Sequence, residues 1–112
     1  MIPFTMINLD KPRKMRLSSF AIVEFEQTTG IKLQSIEDAM SYETSMKLLW
    51  IMLKQEQNDL TFKDTLTLVD DYAEDLTTVL TLVQAATSSA FTKPDDMAID
   101  KFKAVDGTIP NA

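Results

Sequence analysis

The residues best suited to chemistry in this chain are grouped carboxylates. The groups are Glu24 with Glu26, Asp59 with Asp64, Asp70 and Asp71 with Glu74 and Asp75, and Asp95 with Asp96. Two carboxylates can share acid and base work only if they face one cleft that separates their pKa values. Adjacent residues such as Asp70 and Asp71 point about 100° apart on a helix. We therefore favour solvation and helix-dipole roles over catalysis.

Signatures of metal sites and of nucleophilic catalysis are missing from the sequence. The acidic run of residues 70–75 has neither the glycine nor the alternate-ligand spacing of an EF-hand loop. The chain contains no histidine and no cysteine, which removes the commonest general base, the thiol nucleophile and the commonest metal ligands. Glycine-rich phosphate loops and nucleophile elbows are also absent. We expect a protein that is not an enzyme and has no cofactor or metal.

The charge of the chain argues against nucleic-acid and lipid partners. The net charge is −6, which repels phosphates and anionic head groups. The basic residues cluster once, in the stretch 11–16, where a basic hairpin edge that discourages strand pairing is an equally good explanation. The N-terminus lacks the pattern of a secretory signal, and no apolar run approaches ~20 residues. We expect a cytosolic protein with no nucleic-acid and no membrane partner.

Length and composition favour a small helical domain. The chain has 112 residues, of which 45% are hydrophobic and 25% charged, and its two glycines and four prolines leave long stretches free for helices. We expect a mainly α fold, with four to five helices, a short N-terminal β-hairpin and a flexible C-terminal tail. Residues 1–91 form the predicted domain, and residues 92–112 form the predicted acidic tail.

A central helix over residues 41–57 is the element that the others must surround. On a helical wheel its apolar side chains cover more than half of the circumference, which is wider than the stripe of a surface helix. Lys47 and Lys54 lie on the remaining strip with Glu43, and Trp50 lies at its edge. Core packing explains Trp50, but a tryptophan beside two lysines is also typical of a partner-binding edge.

An N-terminal hairpin is predicted between residues 4 and 17, because the turn signal Asp10-Lys-Pro12 separates two short apolar stretches. In the second stretch Met15 and Leu17 alternate with basic residues. A lone hairpin is marginal in water, so its apolar face must lean on the helices or pair with another chain. Met15 and Leu17 are therefore candidate partner-binding residues, together with Trp50.

The other helices are predicted from their capping and stop signals. The expected elements are a helix from Phe20 to Thr29 capped by Ser18 or Ser19 and stopped by Gly30, a short turn capped by Ser35, a helix from the Thr61 cap through Val69, an interruption at Asp70-Asp71, and a longer helix that opens with Ala73-Glu-Asp75. In this last helix the apolar residues recur at helical spacing from Leu76 to Ala86, and the composition shifts after Phe91.

The order of these elements resembles a known family. Leu17-Ser-Ser-Phe20 leads into a helix that ends Phe25-Glu-Gln-Thr-Thr-Gly30, and Leu49-Trp-Ile-Met-Leu53 precedes the link Asn58-Asp-Leu-Thr-Phe62 and an acidic helix pair. This pattern is similar to the small tail assembly chaperones of long-tailed bacteriophages over residues 4–91. The family's usual acidic residue after Leu-Thr is replaced here by Phe62-Lys-Asp64.

The resemblance implies a virion-assembly factor that acts in the host cytoplasm and is absent from the mature virion. It implies binding of the tape measure protein until the major tail protein polymerises around it, with self-association of the chaperone. Trp50, Lys47, Lys54, Met15 and Leu17 are the partner-binding residues that we expect. Two alternatives stay open: a structural component such as a tail completion or head-to-tail adaptor protein, and a small helical regulator that binds a host protein.

Overall fold

The computed structural model describes residues 2–36 and 40–91, which form a mainly α fold behind a two-stranded hairpin. The elements are β1 (Thr5–Asn8), β2 (Pro12–Met15), α1 (Ser19–Thr29), α2 (Tyr42–Leu53), α3 (Phe62–Tyr72) and α4 (Leu76–Phe91), with a 3-10 turn at Leu33–Ser35. The expected fold class is confirmed. The expected tail, residues 92–112, lies outside the described residues.

Helix α2 lies at the centre of the fold. It contacts β2 and each of the other three α-helices. Its buried residues are Thr44, Ser45, Met46, Leu48, Leu49, Ile51, Met52 and Leu53. Neighbours on several sides require a helix that is apolar around most of its circumference, which is what the sequence predicts. The hydrophobic core of the described residues is one cluster built around this helix.

The hairpin covers one side of α2 with alternate residues. Its strands pair antiparallel, with Ile7 opposite Arg13 and Met6 opposite Lys14. Successive side chains of a strand point to opposite faces. Ile7 and Met15 are buried, whereas Met6 and Lys14 are exposed. The hairpin therefore has a core-facing side and a solvent-facing side.

Arg13 fixes the hairpin turn to the chain after α2. Its guanidinium donates to both carboxylate oxygens of Asp10, at 2.9 and 3.0 Å, and to Oε1 of Gln57 at 2.9 Å. The side chain is buried, and its charge is balanced by this two-pronged pair. The hydrogen bond from Arg13 also holds the pKa of Asp10 below its ordinary value.

The expected extension of α2 to Gln57 is wrong, because the helix ends at Leu53 and residues 54–56 form a turn. The Gln55 side chain donates to the Arg16 carbonyl at 2.6 Å, which ties this turn to the end of the hairpin. Leu60 is buried a few residues later. The early end of α2 thus accompanies the return of the chain to the core at Leu60.

Helix α1 begins and ends where its sequence predicts. The Ser18 hydroxyl accepts from the Ala21 amide at 3.2 Å, and Gly30 follows the last turn with a φ of 74°. The Gly30 amide donates to the Glu26 carbonyl at 2.9 Å. This left-handed backbone is the conformation that favours glycine at a helix end.

The expected interruption at Asp70-Asp71 is wrong. Both residues lie in the last turn of α3, and the break between α3 and α4 falls at residues 73–75. Asp70 and Asp71 are exposed, so water solvates their carboxylates without breaking the helix. Asp75 precedes α4 and caps it. The Asp75 carboxylate accepts hydrogen bonds from the Thr78 amide at 2.6 Å and from the Thr78 hydroxyl at 2.9 Å.

The short turn expected with Ser35 as its cap runs into residues that the structure does not describe. The 3-10 turn covers Leu33–Ser35, and residues 37–39 lie outside the described part of the chain.

The cap predicted for α3 is confirmed as a complete capping box. The Thr61 hydroxyl accepts from the Asp64 amide at 3.0 Å, and the Asp64 carboxylate accepts from the Thr61 amide at 3.1 Å.

Gly30→Ala should lower the free energy of unfolding by about 1 kcal/mol, because a Cβ is disfavoured in the left-handed region. A Cβ at Gly30 meets no heavy atom within 4 Å, so the loss would come from the backbone alone. Urea unfolding followed by circular dichroism measures it. Gly30→Asn should lose less, and the control Thr28→Ala, on the exposed side of α1, should lose nothing. Equal stability of Gly30→Ala and the native chain would contradict this explanation.

The Asp75 cap should make stability depend on pH. Its hydrogen bonds with Thr78 hold the pKa of Asp75 below the ordinary value of 3.8. Because the folded pKa is the lower one, the stabilisation is complete above the unfolded pKa and disappears as pH falls through the folded pKa. Asp75→Asn keeps a capping oxygen without the charge. In urea unfolding, the stability advantage of the native chain over Asp75→Asn should shrink below pH 3.8. An advantage that stays constant into acid would contradict the prediction.

Candidate functional site

The structure places three of the five predicted partner-binding residues together on one edge of α2. The Nζ atom of Lys54 lies 4.8 Å from the centroid of the Trp50 ring. The Trp50 ring centroid is 5.7 Å from that of Phe62, with the planes tilted by 53°. The Nζ atom of Lys47 lies 5.8 Å from the Phe62 centroid. Two adjacent aromatic rings therefore lie between two cations along this edge.

Each cation of this edge also has a carboxylate partner. Lys54 Nζ lies 2.5 Å from an oxygen of Glu24 on α1, and Lys47 Nζ lies 3.0 Å from an oxygen of Glu43 one turn earlier on α2. We call the whole set the ladder, with the members Glu24, Lys54, Trp50, Phe62, Lys47 and Glu43. The ladder links three helices, and its formal charges sum to zero.

Trp50 is held in the ladder by the loop that follows α2. Its indole Nε1 donates to the Leu60 carbonyl at 2.8 Å, and its side chain is half-buried. Phe62, the first residue of α3, is half-buried against it. Because the indole N–H is already satisfied within the chain, Trp50 offers a partner the exposed part of its ring. Contacts at this edge are therefore aromatic and ionic.

Met15 and Leu17 are not on the surface, where we expected them to be available to a partner. Met15 is 0% exposed and Leu17 is 1% exposed, and both belong to the hydrophobic core. The alternation of the strand turns their side chains onto α2, so a partner could reach them only if the hairpin came away. Of the predicted residues, Trp50, Lys47 and Lys54 remain candidates.

Sequence reasoning missed Phe62 and Glu24 as members of the ladder. A loop separates Phe62 from the helix that carries Trp50. No helical periodicity therefore relates the two rings in the sequence. Glu24 lies on α1, and its pairing with Lys54 depends on how α1 packs on α2. The Thr61 capping signal places the start of α3 and is the one local clue to Phe62.

The carboxylates considered for acid and base chemistry have separate structural roles. Glu24 pairs with Lys54, and the Glu26 carboxylate accepts from the Leu33 amide at 3.0 Å. Asp64 and Asp75 cap helices. Asp95 and Asp96 lie outside the described residues. Within residues 2–36 and 40–91, no group of three or more acidic side chains is arranged to hold a metal ion.

Comparisons with protein-family models, with curated proteins and with solved structures found no match to this chain. Across the helices that the structure describes, none combines the length and the apolar character needed to cross a membrane.

Two substitutions at Trp50 should separate the stability contributed by its hydrogen bond from the stability contributed by the packing of its ring. Trp50→Phe keeps a ring in the ladder but leaves the Leu60 carbonyl without its donor, which should lower the free energy of unfolding by about 1 kcal/mol. Trp50→Ala also removes ring packing from a half-buried site and should cost about 2 kcal/mol. Chemical unfolding followed by circular dichroism measures both losses. Equal losses for the two variants would contradict this division.

Proposed function

We propose that the protein is a non-enzymatic chaperone of bacteriophage tail assembly. In this role it binds the tape measure protein and holds it until the major tail protein polymerises around it. Two observations support the proposal. The hairpin and the helices follow one another in the order that the family resemblance implies over residues 4–91. The ladder supplies a surface suited to reversible contact with a helical client.

The ladder is the observation that carries the proposal. A long helical client has to be held and then released, which requires contacts that form and break readily. The two ion pairs lie at the surface with their lysines partly exposed. Surface ion pairs contribute only about 0–1 kcal/mol each, so Lys47 and Lys54 can exchange their own carboxylates for those of a client at little cost. The half-buried rings of Trp50 and Phe62 can contact apolar side chains between those charges.

The proposal includes self-association of the chain and action in the host cytoplasm, followed by release before the virion is complete. Holding a client needs no catalytic group. A net charge of −6 would also oppose precipitation of the chaperone at high concentration. The proposed partners are the tape measure protein and the major tail protein.

Co-expression with a tape measure segment from the same phage tests the proposed function. The native chain should keep the segment in the supernatant and copurify with it. The double variant Lys47→Ala with Lys54→Ala should lose most of the copurified segment, because the ladder then lacks both cations. A client that stays soluble without the chain, or that never copurifies with it, would contradict the proposal.

Lys32→Ala is the control for this experiment. Lys32 is exposed between α1 and the 3-10 turn and is not a member of the ladder, so its loss should leave copurification unchanged. Thermal melts of each variant establish that it is folded.

Mass spectrometry of purified virions adds a second test, since a chaperone should be missing from the particle. Stoichiometric presence in the virion would favour a structural tail component instead.

A further inference from the structure

The outer face of the hairpin carries a surface distinct from the ladder. Because the strands turn Met15 and Leu17 inward, Lys14 and Arg16 point to solvent. On the paired side Met6 lies opposite Lys14, and Phe4 precedes the strand. Phe4 is 43% exposed and Met6 is 42% exposed. Two cations and two large apolar side chains therefore lie on the solvent-facing side of the hairpin.

A cleft of about 230 Å³ lies between this face and the end of α2. Its lining residues are Phe4, Lys14, Arg16, Met52, Gln55 and Glu56. The Gln55 amide is held from two sides, since it accepts from the Ser18 hydroxyl at 2.7 Å and donates to the Arg16 carbonyl at 2.6 Å. Met52 is buried and contributes an apolar floor. Hydrogen bonds therefore fix the Gln55 wall of the cleft.

The charge of the cleft is opposite to that of the whole chain. Lys14 and Arg16 outnumber Glu56, which leaves one net positive charge on a protein of net charge −6. Within the described ranges neither Lys14 nor Arg16 forms an ion pair, in contrast to Arg13, Lys47 and Lys54. Lys14 Nζ lies 4.8 Å from the centroid of the Phe4 ring. The cations of the cleft remain open to carboxylates from another molecule.

We propose that the outer hairpin face and its cleft bind an acidic protein segment that also carries apolar side chains. The carboxylates of the segment pair with Lys14 and Arg16, whose guanidinium matches a carboxylate in two-pronged geometry. Its apolar side chains lie on Phe4 and Met6. A nucleic acid is the less suitable occupant, because it would bring a continuous row of phosphates to only two cations on a protein of net charge −6, and it carries no aliphatic side chains to cover Phe4 and Met6. The inference goes beyond the proposed function and does not depend on which protein supplies the segment.

Fluorescence anisotropy with a labelled synthetic peptide tests the inference. The probe is an amphipathic peptide with glutamate on one side and leucine on the other, and its counterpart has lysine in place of glutamate. The acidic peptide should bind, and its affinity should fall as salt rises, since exposed charges are screened. The lysine peptide should not bind. Equal binding of the two peptides, or no binding of either, would overturn the inference.

Charge reversal locates the site. Lys14→Glu with Arg16→Glu should lower the affinity for the acidic peptide at least about tenfold. The matched control is Lys32→Glu with Lys63→Glu, which makes the same change in net charge at two exposed lysines outside the cleft. The control should retain most of the affinity.

Equal losses in the two double variants would show that only net charge matters and would overturn the site. Displacement of the peptide by a single-stranded oligonucleotide at equal concentration would overturn the choice of occupant. The peptide experiment uses no tape measure segment. A negative result in it therefore leaves the proposed function untouched, and a negative co-expression result leaves the proposed hairpin site untouched.

Discussion

Burial of α2 from several directions is the constraint on which the rest of the structure depends. Strand β2 and the helices α1, α3 and α4 all contact it, and residues such as Met46, Leu48 and Leu49 are completely buried. Apolar burial contributes roughly 25 cal/mol per Å², so a small domain gains most from one helix that every other element can cover. The caps, the hairpin turn and the early end of α2 all serve this arrangement. The other elements leave one edge of α2 uncovered, and the ladder lies along that edge.

The sequence was sufficient for the fold class, the central helix and the caps, because these depend on local chemistry. Ser18, Thr61 and Gly30 act where their residue types predict. Two element boundaries were wrong, for different reasons. The early end of α2 accompanies the return of Leu60 to the core, which is a tertiary constraint. The break before α4 falls at the local cap that Asp75, a residue expected inside the helix, forms with Thr78, and not at the solvated pair Asp70-Asp71.

The candidate site could be predicted only in part. The wheel of α2 places Trp50, Lys47 and Lys54 on one edge, and the structure agrees. Phe62 and Glu24 come from other elements, so their membership of the ladder depends on packing that no single helix encodes. The alternation in β2 placed the apolar and the basic side chains on opposite faces of the strand. It did not show which face lies against the core. Met15 and Leu17 proved to be core residues, which leaves the basic side of the hairpin exposed.

The proposed function requires the uncovered edge of α2 to contact the client. Trp50 is the one tryptophan in the chain, so its fluorescence reports directly on this edge. The decisive measurement is the emission spectrum of the native chain during titration with a tryptophan-free tape measure segment, with binding followed independently by light scattering or ultracentrifugation. We expect a blue shift that saturates with binding, because the client would cover the exposed part of the Trp50 ring. Binding that leaves the spectrum unchanged would contradict this expectation.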